Sequence, residues 1–398
     1  MSDIKGAGAL RTPLLLAGHG HTFAPGGLAW ENGVLTDVGS PEGLPASARS
    51  VDAAVIPGFV DCHTHLPFVG WRADEFEARL SGRTYRDLQG GGGGIYRSAR
   101  LLAAASDEEV FAFCEPLLAE MLEHGTTALE LKTGYGLSLE AELRQARLAR
   151  ALSERTAQTC TVTLLACHAV PPDMERADWV RIACEELIPS AAGERLVDAV
   201  DIYVEDIAFS LDDLEAVAAA AFRAELPLRV HADQLGASGA AEAAARLGAR
   251  SADHLNHLSD AGVEALAGSE TTAVLLPAST FFLGADPPPV ERLLDSGAAV
   301  AIASDFNPGT SPTLSMPEVV AMACTLYGIT PDRAIEAATA GGARVLGLSD
   351  RLGTLEPGKR ADFLVLDAED VAMVPYRFGH DPVADAYVAG IRVAGSRS

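Results

Sequence analysis

From residue 57 to residue 350, short apolar runs alternate with longer stretches in which apolar residues recur every three to four positions. Runs of the first kind are typical of buried parallel strands, and stretches of the second kind are typical of amphipathic helices. Eight strands are predicted in this way, at 56–62, 126–132, 161–168, 200–205, 226–231, 251–254, 272–277 and 299–305. Helices are predicted at 108–124, 138–154, 174–188, 211–224, 238–248, 260–267 and 289–296, with a further helix pair at 331–348.

Eight strands separated by helical crossovers predict an α/β fold with a parallel (β/α)8 barrel, and the rival arrangement is a doubly wound open sheet. Six of the eight predicted strands carry His, Asp, Glu or Lys at or near the carboxyl end. In barrels, this is the side on which active sites form. The clustering of polar residues there favours the barrel.

The two ends of the chain have a different pattern, with short apolar runs, frequent turns and no helical periodicity. Asn32-Gly33 lies between two such runs, which is a hairpin signal. We expect residues 1–56 and 352–398 to form one small β-sandwich-like domain beside a barrel domain of residues 57–351. The alternative is two unrelated appendages.

Composition limits the function classes. The 398 residues are 48% apolar and 21% charged, which is typical of a globular protein, and the formal net charge is −25. Such an acidic surface repels nucleic acid and anionic lipid, so we expect neither as a partner. Scattered cysteines without a C-X-X-C pair, and no signal peptide or membrane-length apolar run, predict a cytoplasmic protein.

The candidate chemistry begins at the first predicted strand, which ends in Asp61, followed by His63 and His65. In a strand, residues two apart point to the same side, so both imidazoles can bind one metal ion. His168, His231, His254 and Asp305 each close a later apolar run. Each of them alone is more often structural than functional. Together they predict a metal bound by His63, His65, a later histidine and Asp305.

Several longer segments resemble the amidohydrolase superfamily and, within it, the imidazolonepropionase family of histidine degradation. The resemblance covers nearly the whole chain. The general segments are PGFVDCHTHLPFVGWRADEFEARLSGRTY and LGTLEPGKRADFLVLD, and the more specific ones are KTGYG, CHAVPP and SDFNPGT.

The resemblance implies a metal site and the residues that act on it. The implied ligands are His63, His65, His231 and Asp305, holding one divalent ion, zinc or iron, with manganese also compatible with nitrogen and oxygen ligands. Asp305 would move the proton, and His254 would hold or polarise the attacking hydroxide. Lys132 ends the second predicted strand and could be a carboxylated bridge between two metals. It could also pair with an acid such as Glu130 or Glu205, and we expect this second role and one metal.

The resemblance also implies the residues that bind a substrate bearing a carboxylate. Arg72, seven residues after His65, would hold that carboxylate with its planar guanidinium. The other implied contacts are Tyr135, His168, Gln234, Asn307, Gly309 and Thr310. Gln234 lies where relatives have Gln or Glu, and an amide cannot act as a general base.

The implied reaction is hydrolysis of the ring amide of 4-imidazolone-5-propanoate to N-formimidoyl-L-glutamate. The alternatives are another cyclic-amide hydrolase or a deaminase of the same superfamily, and a scaffold on the same fold that has lost its metal. The resemblance also suggests a homodimer.

Other conspicuous residues are expected to lie outside the chemistry. The glycine run from Gly90 to Gly94 is interpreted as a mobile loop over the barrel mouth, because no G-K-[ST] follows it. His19 and His21 form a second His-X-His pair, which we expect in a loop or on the surface. His124 and His380 are expected to be structural.

Overall fold

The computed structural model describes residues 6–83, 87 and 92–395. Its strands are Gly8–Thr12, Leu15–Gly18, His21–Phe23, Gly26–Glu31, Val34–Gly39, Arg49–Ser50, Val55–Pro57, Phe59–Asp61, Thr126–Lys132, Thr159–Cys167, Ala199–Val204, Leu228–Ala232, Ser251–His254, Thr272–Leu275, Val300–Ile302, Phe363–Leu366, Val383–Val388 and Ile391–Gly395. Its α-helices are Ala73–Leu80, Gly94–Ala104, Asp107–Glu123, Leu139–Ser153, Arg176–Ile182, Ile188–Gly193, Leu211–Arg223, Ala240–Leu247, Asp260–Ala267, Pro277–Leu283, Val290–Asp295, Met316–Tyr327, Pro331–Glu336, Gly342–Leu346 and Met373–Tyr376. Ala183–Leu187 and Ala337–Gly341 are π-helical turns, and Pro41–Gly43 is a 3-10 turn.

The barrel is an eight-stranded sheet in which each strand pairs in parallel with the next along the chain, from Phe59–Asp61 to Val300–Ile302. We number these barrel strands one to eight in chain order. The ring is closed just beyond the ends of strands one and eight, where the His65 N–H donates to the Phe306 carbonyl at 2.9 Å. The prediction of a (β/α)8 barrel is therefore confirmed.

The predicted first strand, 56–62, is in fact two strands that belong to two sheets. Val55–Pro57 pairs with Phe363–Leu366 of the small domain, whereas Phe59–Asp61 is barrel strand one. The change occurs at Gly58, where a Cβ would lie 2.1 Å from the Thr127 hydroxyl oxygen. The sequence pattern did not show the passage from one sheet to the other, because both strands are buried and their residues read as one apolar run.

Strands from both ends of the chain pair in one six-stranded sheet, in which Val55–Pro57 lies between Leu15–Gly18 and Phe363–Leu366. A second, four-stranded sheet comes from the first fifty residues. It contains the predicted hairpin at Asn32-Gly33, where both residues have positive φ, of 51° and 78°. The composite β-structure is confirmed, while the boundaries at residues 56 and 352 stay a prediction.

The sequence pattern missed several helices near the barrel mouth and in the last crossover. Ala73–Leu80 and Gly94–Ala104 follow barrel strand one, and Pro277–Leu283 and Met316–Tyr327 follow strands seven and eight. The last two have a proline in the first turn, a position that proline fits. In the described part of the chain, no helix combines the length and the apolar character needed to cross a membrane.

Candidate active site

The predicted metal ligands come from three barrel strands and meet at the carboxyl end of the barrel. His63 and His65 follow strand one, His231 lies in strand five, and Asp305 follows strand eight. All four side chains are buried. His254 ends strand six, and its ring centroid lies 5.3 Å from that of His231.

Among the described residues, two overlapping groups of three have their ligand atoms within 4.8 Å of one another. One is His63, His65 and Asp305, and the other is His63, His231 and His254. Asp305 Oδ1 lies 3.2 Å from His65 Nε2 and 3.5 Å from His63 Nε2. Four ligands at about 2.0 Å in a tetrahedron lie about 3.3 Å from one another. His63 Nε2 and His231 Nε2 are buried and have no hydrogen-bond partner among the described residues. The donor set therefore fits a divalent cation.

Burial puts the imidazoles of His63 and His65 in the protonation state that metal binding requires. It holds the pKa values of His63 and His65 well below their ordinary range, and it lowers the pKa of His254 to about 3. A neutral ring keeps a lone pair for a metal. Burial raises the pKa of Asp305, and His254 and His231 oppose that rise.

The backbone is strained where these side chains leave the sheet. His254 has φ of 80° and Asp305 has φ of 55°, a left-handed conformation that is uncommon outside glycine. Asp233, two residues after His231, also has a positive φ, of 52°. Such conformations cluster at functional sites, because they direct a side chain away from the regular strand direction.

Two buried aspartates that sequence reasoning missed hold the ligand rings from behind. Asp253 Oδ2 lies 2.6 Å from His63 Nδ1 and is hydrogen-bonded to it. Asp201 Oδ2 lies 3.1 Å from His231 Nδ1, an ion-pair distance without the alignment of a hydrogen bond. A carboxylate on Nδ1 fixes the ring so that Nε2 faces the metal. The signal was present in the sequence, because Asp201 and Asp253 lie inside strands whose ends carry polar residues.

Lys132 is buried within an ionic cluster. Its Nζ lies 2.6 Å from Asp201 Oδ2 and 2.9 Å from Glu130 Oε2. The interpretation of Lys132 as an ion-pair partner is therefore correct for Glu130. The alternative partner Glu205 was wrong, since its carboxylate accepts backbone N–H groups of Gln234 and Leu235.

A pocket opens directly onto the metal-binding cluster. Its lining comprises His65, Arg72, Ile95, Tyr135, His168, Tyr203, His231, Gln234, His254, Asp305, Asn307 and Thr310. The structure thus brings the predicted substrate contacts together, with the exception of Gly309, which lies behind Arg72. Tyr203 and Ile95 were missed. Tyr203 could have been found, because it lies two residues after Asp201 and so shares its inward face.

Arg72 lines this pocket, and only 3% of it is exposed. Its Nε and Nη1 have no hydrogen-bond partner among the described residues, and Glu75 Oε2 is 3.6 Å from Nε. A Cβ on Gly309 would lie 1.4 Å from Arg72 Nη2, so the guanidinium lies flat against a backbone that only glycine provides. A buried guanidinium with two free donors is suited to a carboxylate.

The remaining predicted contacts are held by their own hydrogen bonds. His168 Nδ1 is 3.0 Å from the Gly134 carbonyl, and the ring stacks on His65 with centroids 5.3 Å apart. Asn307 Oδ1 accepts the N–H groups of Gly309 and Thr310, and its Nδ2 donates to the Asp305 carbonyl at 2.6 Å. Asn307 therefore shapes the loop that carries Asp305, and its role as a substrate contact stays a prediction.

The four histidines that were expected to lie outside the chemistry are not in the lining of this pocket. His19 and His21 are exposed, as predicted. His124 lies 3.1 Å from Asp381, and His380 lies 2.5 Å from Asp367. Of the glycine run from Gly90 to Gly94, the first two glycines lie outside the described residues. Gly94 donates its N–H to Glu75 Oε1 at 3.1 Å, and Ile95 follows it into the pocket lining.

Comparison with known proteins identifies the family. Residues 54–393 match the family model described as "Amidohydrolase family". The chain is 44% identical over 366 residues to a protein of Cupriavidus pinatubonensis named imidazolonepropionase, which covers 90% of this chain and 86% of the relative. A protein of Deinococcus deserti with the same name is 44% identical over 365 residues, covering 91% of this chain and 90% of the relative.

Among solved structures, an adenosine deaminase from Xanthomonas campestris with bound zinc superposes with a TM-score of 0.72. It is 20% identical and covers 98% of this chain and 93% of its own, so it supports the fold alone. With a family model over most of its length and relatives of more than 40% identity, the chain belongs to the amidohydrolase family, within its imidazolonepropionase group.

Proposed function

We propose that this chain is a metal-dependent hydrolase that opens the ring amide of 4-imidazolone-5-propanoate to give N-formimidoyl-L-glutamate, a step of histidine degradation. The names of its relatives support this reaction. The observation that carries it is the placement of a buried arginine, whose Nε and Nη1 have no hydrogen-bond partner among the described residues, in the same pocket as His65, His231, His254 and Asp305. The arginine suits the carboxylate of the substrate, and the histidines and the aspartate suit hydrolysis of its ring amide.

His63, His65, His231 and Asp305 would hold one divalent ion, zinc or iron. When it is bound, the ion supplies Lewis acidity and lowers the pKa of water toward neutrality. The protein contributes three imidazoles and one carboxylate, and burial keeps the rings of His63 and His65 neutral, so that they retain their lone pairs. Asp253 and Asp201 keep the rings of His63 and His231 turned toward the ion.

Asp305 carries the proton in this proposal. Its carboxylate accepts a proton from the attacking water, whose oxygen forms the new bond to the ring carbonyl carbon. The bond between that carbon and the ring nitrogen then breaks, and Asp305 returns the proton to the departing nitrogen.

His254 stabilises the negative charge that develops on the carbonyl oxygen. Its low pKa means that the ring is neutral and can donate one N–H without carrying a charge. A donor fixed in advance by burial needs little reorganisation as the charge appears.

Arg72 binds the propanoate carboxylate, while Tyr135, His168, Gln234, Asn307, Gly309 and Thr310 position the ring and the tail. The guanidinium fixes one end of the substrate, so that the carbonyl at the other end meets the attacking water at short range. Gln234 can donate or accept a hydrogen bond but cannot take a proton. The proton transfer is therefore assigned to Asp305.

The test combines metal removal with substrate comparison. Purified protein is stripped with a chelator and reloaded with zinc or with iron, and the loss of ultraviolet absorbance of synthetic 4-imidazolone-5-propanoate is followed. We expect no turnover without metal, full turnover after reloading, and little turnover of 4-imidazolone that lacks the propanoate. Full turnover by stripped protein, or equal turnover of both compounds, would contradict the proposal. Release of ammonia without ring opening would indicate a deaminase instead.

The proposal extends to the setting of the enzyme. We place it in the cytoplasm as a homodimer. Light scattering coupled to gel filtration measures the molar mass, and a monomer would contradict the assembly without affecting the chemistry.

A further inference from the structure

We propose that Arg229 is a positioning residue for the metal site, acting on His63 and His231 together through one continuous chain of buried charged groups; this inference rests on the metal-dependent function proposed above. The chain begins at His63 and ends at His231, and it lies inside the barrel beneath the pocket. Its members in order are His63, Asp253, Arg229, Glu130, Lys132, Asp201 and His231.

Arg229 occupies the middle of this chain. It lies in barrel strand five, two residues before His231, and is 1% exposed. Its Nη2 donates to Asp253 Oδ2 at 2.9 Å, its Nη1 donates to Glu130 Oε1, and its Nε donates to Ser251 Oγ at 3.0 Å. The planar guanidinium thus fixes two carboxylates from different strands at a set angle, which a lysine could not do.

One arm of the chain leads to His63. Asp253 Oδ2 accepts from Arg229 and also lies 2.6 Å from His63 Nδ1. This carboxylate is therefore shared between a fixed cation and a metal-binding ring. If the cation were lost, Asp253 could move, and the ring of His63 would move with it.

The other arm leads to His231. Glu130 is shared between Arg229 and Lys132, and Lys132 Nζ lies 2.6 Å from Asp201 Oδ2. Asp201 in turn lies 3.1 Å from His231 Nδ1. Because Glu130 and Lys132 are two residues apart in barrel strand two, both side chains point into the barrel.

Stability alone does not require such an arrangement. Replacing a buried ion network by well-packed apolar residues is often neutral or stabilising, so buried ion pairs call for another reason. Here both ends of the network are candidate metal ligands. The two cations face three carboxylates, which leaves one net negative charge beneath the two imidazoles. That charge makes the rings better donors to a cation.

The test measures zinc affinity directly, so it does not depend on turnover. The zinc dissociation constant is obtained by competition with a chromophoric chelator for the wild-type protein, Arg229→Lys and Arg229→Met. We expect Arg229→Met to weaken zinc binding about 10- to 100-fold, the range found for groups that orient ligands. Arg229→Lys keeps the positive charge but loses the planar guanidinium, so its zinc dissociation constant should lie between those of the wild-type protein and Arg229→Met.

A second variant guards against misfolding, because Arg229→Met leaves Asp253 without a cation and adds one uncompensated negative charge to the buried network, while Glu130 keeps its contact with Lys132. Arg229→Met combined with Glu130→Gln removes one charge of each sign. We expect this double variant to fold, as judged by circular dichroism, and still to bind zinc at least about tenfold more weakly. In cobalt-loaded protein, its visible absorption bands should shift, because the geometry of His63 and His231 has changed.

The matched control is Arg360→Met. Arg360 forms a two-point ion pair with buried Asp362 in the small β-domain, away from the pocket. It should lower the thermal midpoint and leave the zinc dissociation constant unchanged. A folded Arg229 variant with wild-type zinc affinity and wild-type cobalt bands would overturn the inference alone. A wild-type protein that binds no stoichiometric zinc, iron or cobalt would overturn the proposed function as well.

Discussion

The rim of the barrel and the layer just beneath it contain the same kinds of side chain but use them differently. At the rim, nitrogen atoms of His63, His231 and Arg72 are buried without a hydrogen-bond partner among the described residues. In the layer beneath, the charged nitrogens of Arg229 and Lys132 each contact two carboxylates. Two carboxylate oxygens of this layer, Glu130 Oε2 and Asp253 Oδ1, have no hydrogen-bond partner among the described residues, although Glu130 Oε2 lies 2.9 Å from Lys132 Nζ.

A buried polar atom without a partner costs on the order of 1–3 kcal/mol, so a protein tolerates several together only where something else stabilises them. At the rim, a bound cation and a bound carboxylate would do so. The backbone differs in the same way. The rim residues His254 and Asp305 have left-handed conformations outside or at the ends of strands, whereas Lys132 and Arg229 lie in regular strands. The layer beneath the rim is thus built of regular strands whose charged groups form ion pairs with one another. It supports a rim with strained backbone and with polar atoms that lack hydrogen-bond partners among the described residues.

The strongest test of the rim is Asp305→Asn. We expect turnover of imidazolonepropanoate, followed by ultraviolet absorbance, to fall by at least about a thousandfold, because both a metal ligand and the proton carrier are lost. Asp260→Asn is the control, since Asp260 forms an exposed ion pair with Arg292. Turnover at the wild-type rate in Asp305→Asn would remove the proton-transfer role.

The next test concerns the other unpaired group. Arg72→Ala should raise KM about 30- to 100-fold with a smaller change in kcat, because hydrogen bonds between charged groups contribute about 2–3 kcal/mol to binding. The KM of Arg72→Lys should lie between those of the wild-type protein and Arg72→Ala, since an ammonium group keeps the positive charge but cannot form the two-point contact of a guanidinium. Arg292→Ala, in the exposed pair, should leave both constants unchanged. A large loss of kcat at unchanged KM would contradict a role in binding the carboxylate.

A smaller effect is expected for Gly309→Ala. The new Cβ would overlap the end of the flexible Arg72 side chain, so the guanidinium should move while the fold persists. We expect KM to rise about tenfold, less than for removal of the arginine, with an unchanged thermal midpoint. Gly193→Ala is the control, because its Cβ would meet no atom within 4 Å. Unchanged KM in Gly309→Ala would show that the position of the guanidinium is not set by this glycine.

The eight barrel strands and the rim residues could be predicted because the signals are local. Each strand is a short apolar run, and His168, His231, His254 and Asp305 each lie at or just beyond the end of one. Two histidines in one His-X-His segment then indicated which end holds the metal. The rim was visible in the sequence because chemistry-bearing residues interrupt an apolar pattern at its edge.

The supporting layer could not be predicted as readily, because its members lie inside the apolar runs. Asp201, Arg229 and Asp253 are single charges within strands buried on both faces, and the pattern does not say which charge meets which. Their pairing depends on the register between neighbouring strands. The switch of sheets at Gly58 was hidden for a similar reason, since both strands that flank it are apolar.

The smallest effect on stability is expected for His124 and Asp381, a polar pair that belongs to neither the rim nor the layer beneath it. His124 ends the helix Asp107–Glu123 and lies 3.1 Å from Asp381. The neighbouring carboxylate of Asp381 raises the pKa of His124 above its ordinary value of 6.5, although burial opposes that rise. Because the folded pKa is the higher one, the stabilisation is fully present below pH 6.5 and is lost as the pH rises through the folded value.

Asp381→Asn should therefore lower the thermal midpoint at pH 6 by about 1–2 °C and have little effect at pH 9, since partly exposed ion pairs contribute less than about 1 kcal/mol. Asp260→Asn is the control, because its partner Arg292 keeps its charge at both values and its effect should not change with pH. A larger effect of Asp381→Asn at pH 9 than at pH 6 would contradict this assignment. We expect Arg229→Met and Arg72→Ala to have much larger effects than Asp381→Asn, because these two arginines are buried beneath or within the pocket.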